Sequence, residues 1–210
     1  MFSGPADHLR RFLAWPTCLY HFTLGNHFVY EPQPPLSLAM IGAAISPQAS
    51  TLRTLSIGYL EIEGLRGFDL TGFESLEELT LSAWTTGSDA GDEEKLLAPR
   101  LRKFTWDFPI EECRGMGPLH ELGESEGQWL QRFAGAAIRT HSRLSLIYVA
   151  FFAVDHCSCR PESLPEIYPW DHIDGVADRV RGAGIEVKYP RPMFTRDEFY
   201  KCRDGRGDES

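Results

Sequence analysis

The residues that come nearest to forming a reactive or metal-binding site lie between Asp155 and Cys159, where the sequence reads DHCSC. A structural zinc site usually combines a Cys-x2–4-Cys pair with a second pair of Cys or His. Here only one residue separates Cys157 from Cys159, no second pair follows, and the nearest later histidine is His172. Nucleophilic attack by Cys157 would need a positioned base, but its neighbour His156 points to the opposite side of an extended chain. The segment is therefore predicted to be a loop with free thiols and no bound metal.

Carboxylates could also supply acid–base chemistry, since Glu61 and Glu63 are predicted to share one face of a strand. Paired carboxylates act as acid and base only in a cleft that moves their pKa values apart, and nothing in the sequence indicates such a cleft. The phosphate-binding patterns G-x-x-x-x-G-K-[ST] and G-x-G-x-x-G are absent from the sequence. We therefore predict a protein that is not an enzyme and has no cofactor. The opposite hypothesis, a hydrolase-type enzyme, would need a pocket lined by His156, Cys157 or Glu61.

One phrase, L-x-x-L-x-L or a close variant of it, recurs along the chain. Its copies begin at Leu19, Leu52, Leu76, Leu101 and Leu144. The three regular copies lie within residues 51–108 and start 24 and 25 residues apart, whereas the outer two stand 33 residues before and 43 residues after them. The regular period falls within the range of about 20–29 residues that is typical of leucine-rich repeats, in which this phrase is a short strand followed by a returning segment.

These copies predict an α/β fold, namely a leucine-rich-repeat solenoid with short irregular repeats, parallel strands, and helical or irregular returns. Residues 1–202 are interpreted as one such domain, with regular repeats at 51–108, an insertion at 109–127 and a C-terminal cap at 144–190. Residues 203–210 are predicted to be a disordered tail.

The returning segments are predicted from apolar spacing and from residues that start or break helices. Residues 36–45 and 128–140 carry apolar residues at helical spacing, and Asp171 is expected to cap a helix that ends near residue 181. The glycine-rich return at 60–73 is expected to be irregular, and residues 185–189 alternate as a closing strand.

Alternation along each strand determines which side chains point inward. The inward residues form an apolar ladder made of Leu55, Ile57, Leu79, Leu81, Phe104, Trp106, Ile147 and Val149. The opposite, concave face is predicted to bind protein through Thr54, Ser56, Glu78, Thr80, Ser82, Lys103, Thr105, Asp107 and Tyr148. Solenoids commonly use their concave face in this way. A solvated sheet face without a partner would have the same composition, because fold alone does not imply function.

Composition narrows the classes of partner and compartment. The formal net charge is -9, so a general affinity for nucleic acid or for an anionic membrane is not expected. Five scattered cysteines favour a reducing compartment over a secreted disulfide framework. The N-terminus lacks the apolar core of a signal peptide, and no stretch approaches the roughly 20 apolar residues that cross a bilayer. A cytoplasmic or nuclear location is predicted.

Three stretches in the second half of the chain carry a family resemblance. They are LLAPRLRKFTWDF at 96–108, ELGESEGQWLQRFAGAAI at 121–138, and EIYPWDHIDGVADRVRGAGIEVKY at 166–189. Together with the repeat phrase they resemble the C-terminal, leucine-rich part of fungal F-box proteins. The resemblance implies a domain that selects protein substrates for an SCF-type ubiquitin ligase.

The resemblance has two departures. The F-box, a helical segment that docks on the Skp adaptor, is not found in residues 1–50, which already look like repeat material. Glu112-Cys113-Arg114 stands where the family has an acidic residue followed by Gln-His. The expectation is therefore either a truncated chain or a relative without an F-box, and Skp adaptor and cullin are expected as partners only if an F-box is present. The alternative function is a stand-alone interaction scaffold with no ubiquitin link.

Overall fold

Parallel strands that follow one another in chain order are the main feature of the fold. The computed structural model describes residues 5–25, 35–88, 91–108, 118–152, 164–192 and 194–204. Within these ranges a single sheet contains six strands in the order β1 to β6. The strands are β1 His21–Leu24, β2 Thr54–Ile57, β3 Glu78–Ser82, β4 Lys103–Phe108, β5 Leu146–Phe151 and β6 Glu186–Lys188.

The register aligns the copies of the repeated phrase residue by residue. Leu55 lies between Phe22 and Leu79 in the sheet, and Phe104 lies between Leu79 and Ile147. All five strand pairs are parallel. The predicted α/β class, the parallel strands and the predicted pairing of the phrase copies are therefore confirmed.

Six helices lie in the described part of the chain, which also contains short 3-10 turns. They are α1 Pro5–Leu13, α2 Leu38–Ile45, α3 Ala83–Thr86, α4 Glu124–Arg139, α5 Pro169–Val180 and α6 Arg196–Arg203. Ser37 begins α2 by accepting a hydrogen bond from the Met40 backbone N–H. The predicted irregular return at 60–73 contains neither helix nor strand, apart from one isolated bridge between Ser37 and Ile62. Glu61 and Glu63 therefore do not share a strand face, contrary to the prediction.

Two predicted helix starts were wrong by a few residues. Helix α4 begins at Glu124 and not at residue 128, because the Glu126 carboxylate accepts the Gly123 backbone N–H at 3.0 Å and so caps the first turn. Helix α5 begins at Pro169, a residue suited to a first turn since it has no N–H to leave unpaired, and Asp171 lies inside that turn. The predicted insertion at 109–127 thus includes the start of α4.

Helix α6 was not predicted at all. Thr195 caps it by accepting the Glu198 backbone N–H, and the Glu198 carboxylate accepts the Thr195 backbone N–H in return. This T-x-x-E pattern is a recognised start signal that the sequence does contain. The helix extends to Arg203, the first residue of the predicted tail, while residues 205–210 lie outside the described ranges.

The core lies on the inward side of the sheet, under α4 and α5. All eight residues of the predicted apolar ladder have an exposed fraction of 0%. From α4, Trp129 stacks on Trp106 with ring centroids 4.5 Å apart, and Phe133 lies 4.5 Å from Phe104. Each buried Leu in such a ladder contributes roughly 1.5–3 kcal/mol to stability, so inter-strand and helix–sheet packing together hold the repeats in place.

One largely buried ion pair fastens α4 to the turn before β4. The Arg132 Nε lies 2.6 Å from Oε1 of Glu93, whose side chain is 8% exposed, and the same guanidinium donates to the Ser88 carbonyl. Glu93→Ala is expected to lower the free energy of unfolding by about 2–3 kcal/mol, because a mostly desolvated guanidinium loses a charged partner. Urea denaturation measures this loss.

A matched control lies one residue along the chain. Glu94 and Arg139 are 3.6 Å apart, but their side chains are 61% and 66% exposed. Glu94→Ala should therefore change the free energy of unfolding by no more than about 0.5 kcal/mol. Equal losses for the two variants would contradict the role given to the Glu93–Arg132 pair.

Candidate functional site

The sheet face opposite the core, called here the open face, carries the candidate binding residues. Three rows of side chains cross it, and each row takes one residue from each strand. The first row is His21, Thr54, Glu78, Lys103, Leu146 and Glu186. The second is Thr23, Ser56, Thr80, Thr105, Tyr148 and Lys188. The third contains Ser82, Asp107 and Ala150. The sheet register thus brings all nine predicted residues onto one face.

The side chains of the third row are less exposed than those of the first two rows. Every residue of the first two rows is partly or fully exposed. In the third row Asp107 is half-buried, whereas Ser82 is 0% exposed and Ala150 is 6% exposed. The prediction that Ser82 belongs to an accessible surface was therefore wrong. Alternation determined the side that Ser82 faces, but it carried no information about what covers that end of the strand.

Charge on the open face is mostly balanced within the face. The Lys103 ammonium lies 3.7 Å from the Glu78 carboxylate, and that of Lys188 lies 2.9 Å from Glu186. The second row consists of hydroxyl-bearing side chains from Thr23 to Tyr148 and ends at Lys188. Although the whole chain has a net charge of -9, a partner would therefore meet a nearly neutral surface that is rich in hydrogen-bonding groups.

Asp107 is the exception on this face. Among the described residues it has no salt-bridge or hydrogen-bond partner, and burial raises the pKa of its carboxyl above the ordinary value of 3.8. A raised pKa in the folded state means that the ionised carboxylate opposes folding once the pH exceeds 3.8. Asp107→Asn is therefore expected to raise the urea midpoint at pH 7, and the gain should vanish as the pH falls below 3.8.

The control for this pH dependence is Thr105→Ala, which removes no titrating group from the same strand. Its effect on the urea midpoint should be the same at pH 7 and below pH 3.8. An Asp107→Asn variant that is no more stable than the parent at neutral pH would contradict the unfavourable burial of this carboxylate.

A cleft of about 140 Å3 opens beside the carboxyl ends of β3 and β4. Its walls include Glu63, Trp84, Trp106, Phe108, Glu121 and Glu126. Oε2 of Glu126 already accepts hydrogen bonds from the Gly123 N–H and the Ser125 hydroxyl, so this carboxylate serves the start of α4. The sequence did not predict this cleft, because its walls come from separate segments. The available signal was that ligands often bind at the carboxyl ends of parallel strands.

The described ranges contain neither a cluster of metal ligands nor a helix that could span a membrane. No three His, Cys, Asp or Glu side chains converge there in a way that would hold a metal ion. The thiols of Cys18 and Cys202 are exposed and unpaired, and the segment from Asp155 to Cys159, with the His156 and Cys157 of the hydrolase alternative, lies outside the described residues. Glu61 does not line the cleft. None of the described helices is both long and apolar enough to cross a bilayer.

No protein-family model, curated protein or solved structure matches the sequence or the fold significantly. The features of this chain that bear on function are therefore the sheet face and the family resemblance of the sequence.

Proposed function

We propose that this chain is a non-catalytic leucine-rich-repeat module whose open face binds another protein. The observation that carries the proposal is the strand order: six parallel strands succeed each other without reversal. A doubly wound sheet reverses its strand order at the point where it binds a ligand, whereas a solenoid simply adds each repeat to the previous one. The period of the regular repeats supports the same interpretation.

The chemistry of the open face supports a macromolecular ligand. Its rows of hydroxyl groups and balanced charges form an extended surface whose residues line neither the cleft at Trp84 nor the pocket at Phe199 in the described part of the chain. Such a surface suits recognition spread over many contacts. Tyr148 supplies a half-buried aromatic ring of the type that often anchors interfaces. The half-buried carboxylate of Asp107 would gain most from a basic group on the partner.

The link to ubiquitin transfer is a narrower proposal, supported by the resemblance alone. In this version the bound protein is a substrate, the chain is the substrate-recognition part of an F-box-type SCF receptor that lacks its F-box, and it acts in the cytoplasm or nucleus. The Skp adaptor and cullin become partners only if an F-box equivalent is present. The alternative is a stand-alone scaffold that binds its partner through the same face and has no link to a ubiquitin ligase.

Quantitative affinity purification tests both versions. The tagged parent chain, a Thr105→Arg/Tyr148→Ala variant and a Gln128→Arg control are compared by mass spectrometry. Thr105 and Tyr148 are neighbours on the open face, and Gln128 is exposed on α4. We expect a discrete group of captured proteins. The control should capture them like the parent chain, and the double variant should capture at least about tenfold less of them.

The identity of the captured proteins then separates the two versions. Skp adaptor and cullin among the retained proteins would favour the ligase receptor, and their absence would favour the scaffold. Equal capture by all three chains, with each chain folded by circular dichroism, would contradict binding through the open face.

A further inference from the structure

A second surface lies at the amino end of the described chain. Phe12, Trp15 and Tyr20 are 64%, 82% and 48% exposed, the highest values among the large hydrophobic side chains of the described residues. Single exposed apolar residues are normal on protein surfaces. Three exposed aromatic rings therefore fall within residues 12–20, and exposed apolar patches often mark an interaction site.

The backbone beneath this patch is anchored to the core. The buried Gln48 side chain donates to the carbonyls of Leu13 and Pro16 at 3.1 and 3.0 Å. Its Oε1 accepts the Leu19 backbone N–H at 3.1 Å. The three rings are thus presented to solvent by a segment that is held at both ends, which lowers the entropy cost of ordering them in a complex.

Arginines lie close to the aromatic rings, two of them in the sequence and one in space. Arg10 and Arg11 are exposed beside Phe12, and the Arg53 guanidinium carbon lies 5.4 Å from the centre of the Tyr20 ring. Within the described ranges none of these three arginines forms an ion pair with a carboxylate. The basic and aromatic patch formed by Arg10, Arg11, Phe12, Trp15, Tyr20 and Arg53, called here the amino-terminal patch, contrasts with the net charge of -9 of the chain.

The amino-terminal patch also adjoins an incompletely covered end of the core. Strand β1 pairs only with β2 in the described sheet. Its inward residues Phe22 and Leu24 are half-buried, whereas Leu55 and Ile57 on β2 are 0% exposed. A ligand at this end would therefore gain apolar contacts in addition to contacts with the arginines.

We propose that the amino-terminal patch docks an acidic protein segment that also carries apolar side chains. Arginine and aromatic residues dominate the energetics of interfaces, and a guanidinium pairs with a carboxylate through two parallel hydrogen bonds. The patch shares no residue with the open face, so the inference does not depend on the function proposed for that face.

Charge favours an acidic protein segment over an anionic membrane or a second copy of the chain as the ligand of this patch. An anionic bilayer would attract the three arginines, but it would also repel the acidic remainder of the chain. A second copy of the chain joined through a two-fold axis would place the same arginines on both sides of the interface. A short acidic segment meets the arginines and rings alone, without either repulsion.

Fluorescence anisotropy of a labelled synthetic peptide tests the proposal. The peptide is an amphipathic helix with Asp and Glu on one face and Leu and Phe on the other. We expect the full chain to bind it, and Trp15→Ala and Arg10→Glu/Arg11→Glu each to weaken binding by at least about tenfold. Added salt should weaken binding to the parent chain. Blue-shifted tryptophan emission that is absent in Trp15→Phe would place the contact at Trp15.

Two control variants match these changes elsewhere on the surface. Phe152→Ala removes a ring that is 46% exposed at the far end of β5, and Arg100→Glu/Arg143→Glu reverses two exposed charges. Both should bind the peptide like the parent chain.

Three outcomes would overturn the proposal. One is a peptide that fails to bind, or that binds every variant equally. Another is Trp15-dependent binding to phosphatidylcholine vesicles containing phosphatidylserine in the absence of peptide binding, which would assign the patch to a membrane. The third is Trp15-dependent self-association in sedimentation without peptide binding, which would assign it to a second copy.

Discussion

Leu81→Asp is expected to unfold the chain under conditions in which the parent is folded. Leu81 is 0% exposed and lies between Ile57 and Trp106 in the sheet register. The change removes roughly 1.5–3 kcal/mol of apolar burial and adds an unpaired carboxylate, whose burial costs several kcal/mol more. Domains of this size are stable by only about 5–15 kcal/mol. Far-ultraviolet circular dichroism and a thermal melt measure the result.

Thr80→Asp is the matched control, because Thr80 is the adjacent residue and faces the open side of the same strand. This variant should stay folded, with a change of less than about 1 kcal/mol. Leu79→Ala should fall between the two, at about 2–5 kcal/mol. If both Asp variants fold, or both unfold, the assignment of inward and open faces is wrong.

The second large effect is expected for Trp129→Ala. The Trp129 ring is 0% exposed and stacks on both Trp106 and Phe133, with interplanar angles of 22° and 11°. Removing it leaves a cavity between α4 and the sheet, and the free energy of unfolding should fall by about 3–5 kcal/mol. Near-ultraviolet circular dichroism should lose the signal of the stacked rings. Urea denaturation measures the change in the free energy of unfolding.

Two further variants separate packing from the mere loss of a tryptophan. Trp129→Phe should cost less, since a ring remains and the buried Nε1, which has no hydrogen-bond partner among the described residues, is removed. Trp15→Ala removes a ring that is 82% exposed and should change stability by less than about 1 kcal/mol. A Trp129→Ala loss no larger than that of Trp15→Ala would show that α4 does not depend on this stack.

The sheet could be predicted because its information is local and repeated. Each copy of the phrase places apolar residues at alternate positions, and the regular copies share one period. Once Leu55, Leu79 and Phe104 are aligned by that period, the register of the open face follows without further data. The same reasoning found the weaker copies in β1 and β5, because their apolar positions are in the same phase.

The exposure of single residues could not be predicted in this way. Ser82 lies on the open side by alternation, but its burial depends on parts of the chain outside its own strand. Glu61 and Glu63 alternate like strand residues, yet they follow β2 in a glycine-rich return where only Ile62 makes a bridge. A period of two is necessary for a strand, but a partner with free backbone groups is needed as well.

Helix boundaries and the cleft show what apolar periodicity leaves out. The starts of α4 and α6 are set by Glu126 and Glu198, which accept backbone N–H groups ahead of the apolar positions. Such capping signals are visible in the sequence but weak beside hydrophobic spacing. The cleft beside β3 and β4 is assembled from distant segments, so no local pattern encodes it.

Site-specific photo-crosslinking tests the central claim most directly. A photoreactive phenylalanine derivative replaces Thr80 at the centre of the open face in one chain and the exposed Ile138 of α4 in another. After irradiation in lysate, the account predicts discrete crosslinked proteins from position 80 that Tyr148→Ala diminishes, and no matching products from position 138. The same products from both positions, or products only from position 138, would contradict the open face as the binding surface.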